Sequence, residues 1–177
     1  MTKARTAHTA DVDTATLSAA RALLYDVFED MTEHDWEYAL GGVHALVWEG
    51  SELVGHACVV QRRLLHRGRA LRTGYVEGLA VRADRRRRGH ASAMMDVLEP
   101  VVVRAYELGA LGATDEAASF YARRGWRLWR GPSSALTPDG VIRTEEEDGC
   151  IHVLPLDTVQ LNLEGALTCD WRDGDVW

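Results

Sequence analysis

One stretch limits the folds open to this chain more than any other. Gly74-Tyr75-Val76-Glu77-Gly78-Leu79-Ala80-Val81 reads as an apolar strand. Arg82-Ala83-Asp84-Arg85-Arg86-Arg87-Arg88-Gly89-His90-Ala91 follows as a basic, glycine-containing turn into a helix. A strand whose closing turn points backbone N–H groups at a helix N-terminus is a ready-made anion site. The run R-x-x-G-x-A, from Arg86 to Ala91, is the pattern expected of a turn that holds a pyrophosphate, and it points to a phosphate-bearing cofactor. Four consecutive arginines also occur in solvated loops and nucleic-acid patches, and a short glycine motif is weak on its own.

Farther along, the chain reads Thr114-Asp115-Glu116-Ala117-Ala118-Ser119-Phe120-Tyr121-Ala122-Arg123-Arg124-Gly125-Trp126. This is a short helix bearing a tyrosine, ended by a glycine, with an aromatic opening the next strand. The two stretches, in this order and at this distance, resemble the GCN5-related N-acetyltransferase superfamily. The first is similar to its acetyl-CoA pyrophosphate loop and the second to its tyrosine-bearing helix.

At 177 residues, 46% of them hydrophobic, the chain is expected to fold as one domain, residues 1–177, with its own core. No apolar run approaches a membrane span, and Met1 to Thr6 lead into no apolar signal segment, so a cytoplasmic protein with no membrane partner is expected. Cys58, Cys150 and Cys169 are odd in number and scattered; reduced thiols fit them better than disulfides or zinc ligands. The histidines lack metal spacing, and no metal is expected. Asp139 to Trp177 carries ten acidic residues and two arginines, a balance of −8, so the remainder carries +1 of the net −7. A basic loop suits a phosphate-bearing cofactor. An acidic C-terminal third suits a cationic substrate, although acidic surface also serves solubility. The acidic balance, and the lack of stacking aromatics beside the arginines, speak against nucleic acid.

The coarse order is a strand at Lys3 to His8, a helix capped by Asp13 and a second from Glu33 to Leu40. Strands follow at Val43 to Trp48, Leu53 to Leu64 and Leu71 to Val81, then the helix after Gly89, in which Pro100 should kink or break the ladder. A short strand at Leu108 to Leu111, the tyrosine helix and a strand from Trp126 come next. Gly131 to Glu147 reads as an exposed polar loop, and Ile151 to Leu154 as the last clear strand. This is an α/β layout. The resemblance implies the GCN5-related N-acetyltransferase fold, a central mixed, mostly antiparallel sheet flanked by helices.

Glu77 is a carboxylate in an otherwise apolar strand, which is costly without a partner or a task. Its alternatives are a salt bridge to a nearby arginine and a role as base, directly or through one water. Gly78 beside it suits a bulge. The resemblance implies that the backbone of Leu79, Ala80 and Val81 pairs with the pantetheine arm. It further implies that Arg86, Arg87, Arg88, Gly89, His90 and Ala91 hold the pyrophosphate, and that Tyr121 is the acid that protonates the departing thiolate; alternatively Tyr121 is a core aromatic.

Thr32-Glu33-His34-Asp35-Trp36-Glu37, Leu40-Gly41-Gly42-Val43-His44-Ala45-Leu46, Gly74 to Gly78 and Cys169 to Trp177 together resemble the aminoglycoside 2'-N-acetyltransferases of bacteria, from about His8 to Trp177. The resemblance implies acetyl-CoA as donor, the 2'-amine of a cationic aminoglycoside as acceptor, and a homodimer. It assigns Asp30, Asp35, Gly78, Gly112, Glu147, Asp148, Asp175 and the carboxylate of Trp177 to the substrate, with Asp35 open to a capping role instead. Thr114 stands where the superfamily often has asparagine, and Gly112 where a serine can meet the drug. Two other readings stay open, an acetyltransferase for another cellular amino sugar or polyamine and a binding protein that sequesters aminoglycosides without catalysis.

Overall fold

The structure, a computed structural model, describes residues 3–177. Met1 and Thr2, the start of the expected domain, lie outside the described residues. The chain folds into two compact units, one up to Val60 together with Val76–Val101, the other Gln61–Tyr75 together with Val102–Trp177.

In the first unit, β1 (Ala4–His8) pairs antiparallel with β2 (Val43–Glu49), and β2 pairs antiparallel with β3 (Glu52–His66). Buried residues run without interruption from Leu53 to Val59, the pattern of a strand covered on both faces. Helix α1 (Thr14–Val27) starts where Asp13 accepts the Thr16 N–H at 2.8 Å. It turns Ala20, Leu23 and Leu24 inward. Helix α2 (Glu33–Glu37) is held by a capping box between Thr32 and Asp35 and buries Trp36. These side chains pack with Ala39, Leu46, Leu53, Cys58 and Ala80 into one core. Ala80 belongs to β4 (Arg69–Val81), whose end leads into a 3₁₀ turn at Ala83–Arg85 and then helix α3 (His90–Ala105). Pro100 sits inside α3 without ending it. The bond it removes is the one to the Asp96 carbonyl. Asp96 and Pro100 are both exposed, so water can take that carbonyl.

In the second unit the first half of β4 runs parallel to β5 (Leu108–Gly112), Tyr75 facing Ala110. Strand β9 (Ile151–Pro155) lies antiparallel to β5, and β6 (Arg127–Leu128) pairs antiparallel with β9. Helix α4 (Asp115–Arg123) buries Tyr121. The expected loop at Gly131 to Glu147 is instead a hairpin of β7 (Ser133–Thr137) and β8 (Gly140–Arg143). A further strand after Ile151 to Leu154, β10 (Leu167–Cys169), pairs parallel with β7 and antiparallel with Leu64 and Leu65 of β3. The pairing is therefore mixed and mostly antiparallel. No helix among the described residues is long and apolar enough to cross a membrane.

Candidate active site

In the first unit, β4 delivers Glu77 and Gly78, both half-buried. Gly78 has φ +54, and a Cβ there would stand 3.2 Å from Leu24 Cδ2. Left-handed backbone inside a strand is what glycine allows and other residues resist. It turns the Gly78 carbonyl to the His56 ring, 3.1 Å from Nδ1, while the Glu77 carbonyl accepts the Cys58 thiol at 3.7 Å. Burial, reinforced by the Glu77 charge, raises the Cys58 pKa well above the usual thiol value. Leu79 and Val81 are half-buried and Ala80 is buried.

Beyond Val81 the backbone reverses through Arg87 at φ +61 and Gly89 at φ +84. The first N–H groups of a helix have no carbonyl one turn back, and the first bond of this one runs from Ala93 N–H to the Gly89 carbonyl. The N–H groups of His90, Ala91 and Ser92 are thus left to other acceptors. Part of the basic run is tied up internally. Arg82 meets Asp84 at 2.7 Å and Glu52 at 3.0 Å. Glu49 takes the buried His90 Nε2 at 2.9 Å and Arg88 at 3.6 Å. Arg85 Nε also lies 2.9 Å from Glu49, an ionic contact without hydrogen-bond alignment. Arg86 and Arg87 are exposed and have no carboxylate partner among the described residues. Free N–H groups at a helix start, beside two guanidiniums that no carboxylate neutralises, fit a pyrophosphate. Asp30 is exposed in the turn between α1 and α2. The Asp35 carboxylate accepts the Thr32 N–H and O–H at 2.7 and 2.6 Å, so its capping role is the one the fold uses.

In the second unit, Tyr121 is 6% exposed, its ring tilted edge-on toward Phe120 and Trp126. Burial pushes its phenol up to about 12. Gly112 is exposed at the end of β5, and Thr114 precedes α4 without a side-chain cap bond. Asp148 accepts the Ser133 N–H at 2.9 Å and pairs with Arg143 at 2.6 Å. The Arg143 guanidinium and the two Ser133 donors hold its carboxyl well below the usual range, which makes it a brace of the β7–β8 hairpin. Neighbouring Glu147 is different. Burial and then the charges of Asp175 and Glu146 raise its pKa, while Arg172 opposes them. The structure thus brings Glu147 and Asp175 together across a long stretch of sequence. Trp177 is buried, its indole N–H donating to Thr144 Oγ1 at 2.9 Å and its backbone N–H to Asp175 at 3.0 Å.

The sequence reading missed the residue that holds this segment. Arg62 is 4% exposed, pairs with Asp170 at 2.8 Å and donates to the Val176 carbonyl at 2.7 Å. Its guanidinium lies 4.9 Å from the Tyr75 ring centroid. Arg172 donates to the Asp175 carbonyl and, with Arg62 at 3.4 Å, to the Trp177 carboxylate expected to meet the substrate. Standing between Gln61 and Arg63, Arg62 gave no sequence signal of the kind Glu77 gives. The His44–His56 pair and Glu49 were also passed over. Among the described residues, no group of three or more His, Cys, Asp or Glu is arranged to hold a metal ion.

Comparison with known proteins agrees with this layout. Residues 4–129 match the acetyltransferase (GNAT) domain family. An aminoglycoside 2'-N-acetyltransferase of Mycolicibacterium fortuitum is 51% identical over 98% of this chain and 91% of its own length. Among solved structures, Escherichia coli ElaA superposes with a TM-score of 0.61 at 16% identity, covering 86% of this chain and 99% of that one. The ribosomal-protein-S18-alanine N-acetyltransferase of Escherichia coli gives 0.58 at 19% identity, over 90% of this chain and 97% of that one. At such identities these two speak for the fold alone. The chain belongs to the GNAT acetyltransferase family, alongside the aminoglycoside 2'-N-acetyltransferases.

Proposed function

We propose that this acyltransferase moves an acetyl group from acetyl-CoA to the 2'-amine of aminoglycosides, within one ternary complex and as a single acetyltransferase domain, residues 1–177. The observation that carries the reading is the likeness to an enzyme of that name along nearly the whole chain. The acidic groups Glu147 and Asp175 support it, since an aminoglycoside is a polycation and each ammonium needs an acceptor. Asp30 is available to the same substrate. Asp35 and Asp148 are already committed to Thr32 and to Ser133 with Arg143, so their contribution is to hold the segments that carry the contacts. Gly78 and Gly112 keep side chains out of the way, and Trp177 anchors Asp175.

The backbone of Leu79 to Val81 binds the pantetheine arm, and Arg86 to Ala91 bind the pyrophosphate. Bound acetyl-CoA supplies an activated thioester carbonyl. Glu77 takes the proton from the 2'-ammonium, directly or through one water, and frees the nitrogen lone pair for attack. As the C–N bond forms and the C–S bond breaks, the nitrogen gives up its second proton to solvent and the electron pair leaves on sulfur. Tyr121 donates a hydrogen bond there. A phenol near pKa 12 holds its proton against a thiolate of ordinary pKa about 8.5. Tyr121 therefore stabilises the thiolate, and solvent completes the protonation. No acyl-enzyme is required, because holding both reactants together supplies the needed proximity. We further propose that the protein works in the cytoplasm as a homodimer, without metal, nucleic acid or membrane.

The test is thiol release from acetyl-CoA with paired aminoglycosides bearing a 2'-amine or a 2'-hydroxyl. Release with the amines alone supports the reading. Acetyl-CoA binding without release on either set would leave the other reading, an acetyltransferase for a different amino sugar or polyamine. Aminoglycoside binding without any acetyl transfer would make it a sequestering protein.

A further inference from the structure

The first unit buries two histidines that the reaction above does not use. His44 and His56 are both 0% exposed, with His44 Nδ1 2.9 Å from His56 Nε2. On the far side, His44 Nε2 lies 2.7 Å from Thr9 Oγ1, which accepts the Gly41 N–H at 2.9 Å.

One atom sets the polarity of this chain. The Gly78 carbonyl can only accept, so His56 carries its proton on Nδ1. Burial, with the neighbouring His44, holds the His56 pKa down to about 4, so the ring is neutral and its Nε2 accepts. His44 must then donate from Nδ1. Burial lowers the His44 pKa as well, so its Nε2 accepts the Thr9 hydroxyl proton. The Gly42 carbonyl, 3.3 Å from the same hydroxyl, already accepts the Thr9 N–H, so the hydroxyl proton can join a chain in which every proton points toward Gly78.

Position in the strand gives this chain its use. His56 and Cys58 are two apart in β3, so their side chains stand on one face. One takes the carbonyl of Gly78, the other that of Glu77. Two successive carbonyls of β4 are thus bonded by side chains, at the residue whose φ is +54. Of these bonds, the one from the thiol is the weaker. The stronger hold, from the imidazole, thus fixes the Gly78–Leu79 peptide, the one that closes the left-handed turn directly after Glu77.

We propose that His56 is a positioning residue, its ring oriented by His44 so that it locks the Gly78 carbonyl and thereby aims the Glu77 carboxylate. This rests on Glu77 being the base. A misplacement of about 1 Å at a reacting group costs on the order of 10²-fold in rate, so losing the lock should be felt in turnover rather than in acetyl-CoA binding.

The experiment compares His56→Leu with His56→Asn, each alone and combined with Glu77→Gln. The asparagine amide N–H sits where Nδ1–H sat, whereas leucine keeps bulk and offers no donor. The expected result is a kcat reduced on the order of 10²-fold for H56L, with acetyl-CoA Kd unchanged. H56N should recover most of that loss, and H56L should add nothing to E77Q. An unchanged kcat, equal slowing in both backgrounds, or an H56N as slow as H56L would overturn the proposal. Imidazole ¹⁵N shifts of the unaltered protein test it even if H56L does not fold. They should report a neutral His56 protonated at Nδ1 at pH 7, and an Nε2–H tautomer or a charged ring would overturn it. E77Q turning over at the wild-type rate would instead sink the base assignment, a failure seen before His56 is touched.

Discussion

Replacing Tyr121 by phenylalanine separates chemistry from packing. The side chain is 6% exposed, and its phenol oxygen hydrogen-bonds to none of the described residues. Removing the hydroxyl therefore breaks no internal bond, and stability at pH 7 should change by no more than about 1 kcal/mol. Burial alone pushes the phenol from 10.0 up to about 12. A raised folded-state pKa means stability that is complete below pH 10 and lost as pH rises through 12. Each pH unit in that window is worth about 1.4 kcal/mol, so Tyr121 should cost the wild type roughly 3 kcal/mol across it. The Tyr121→Phe protein lacks that loss, while the single lysine, the other tyrosines and the cysteines titrate alike in both and cancel in the difference. Urea denaturation at pH 7.5 and pH 11 reads the effect as a gap between the two proteins that opens only at the higher pH. Turnover should meanwhile fall on the order of 10²-fold, with acetyl-CoA affinity unchanged, if the hydroxyl is the proposed donor to the departing sulfur. An unchanged kcat would remove Tyr121 from the reaction. A wild type and variant with the same alkaline dependence would refute the burial argument.

Other perturbations follow from the same geometry. Glu77→Gln should slow acetyl transfer on the order of 10²-fold at acidic pH and less at high pH, where free amine forms unaided; a pH–rate profile with equal loss throughout counts against the base role. Asp170→Ala removes the carboxylate from a guanidinium that is 4% exposed, and should destabilise by roughly 2 kcal/mol in urea melts, the partial exposure of Asp170 keeping the cost below that of a fully buried pair. No loss would mean that the carbonyls around Arg62 suffice to hold it. Asp148→Asn should flatten stability on the acid side. The depressed Asp148 pKa contributes stability above pH 3.8 that is lost as pH falls below it, and acid titration of unfolding in both proteins checks this.

The anion-binding turn was legible because a strand, a basic reversal and a helix start each leave a local mark, and so was the tyrosine helix closed at Gly125. The hairpin at Ser133–Thr137 and Gly140–Arg143 was not, since β8 is wholly exposed and carries no inward face to mark it. Pro138-Asp139-Gly140 is nonetheless a turn signal with a mechanism. The role of Asp148 was hidden for a different reason. Its partners Ser133 and Arg143 lie on strands whose existence had first to be seen. The two histidines carried no spacing motif, because their partners are a hydroxyl and a backbone carbonyl brought near only by strand register. Glu77 differs again, a charge in an apolar run that the sequence flags as needing a partner or a task, whereas Arg62 sits between Gln61 and Arg63 and only its burial in the fold sets it apart.

The central claim is that acetyl is transferred to one nitrogen of a polyamine substrate. It is tested most directly by two-dimensional NMR of the product made from acetyl-CoA and an aminoglycoside bearing several free amines. The expected product carries a single acetyl group on the 2' nitrogen. Acetylation at another amine, or a mixture, would contradict the account of one amine presented to the reaction.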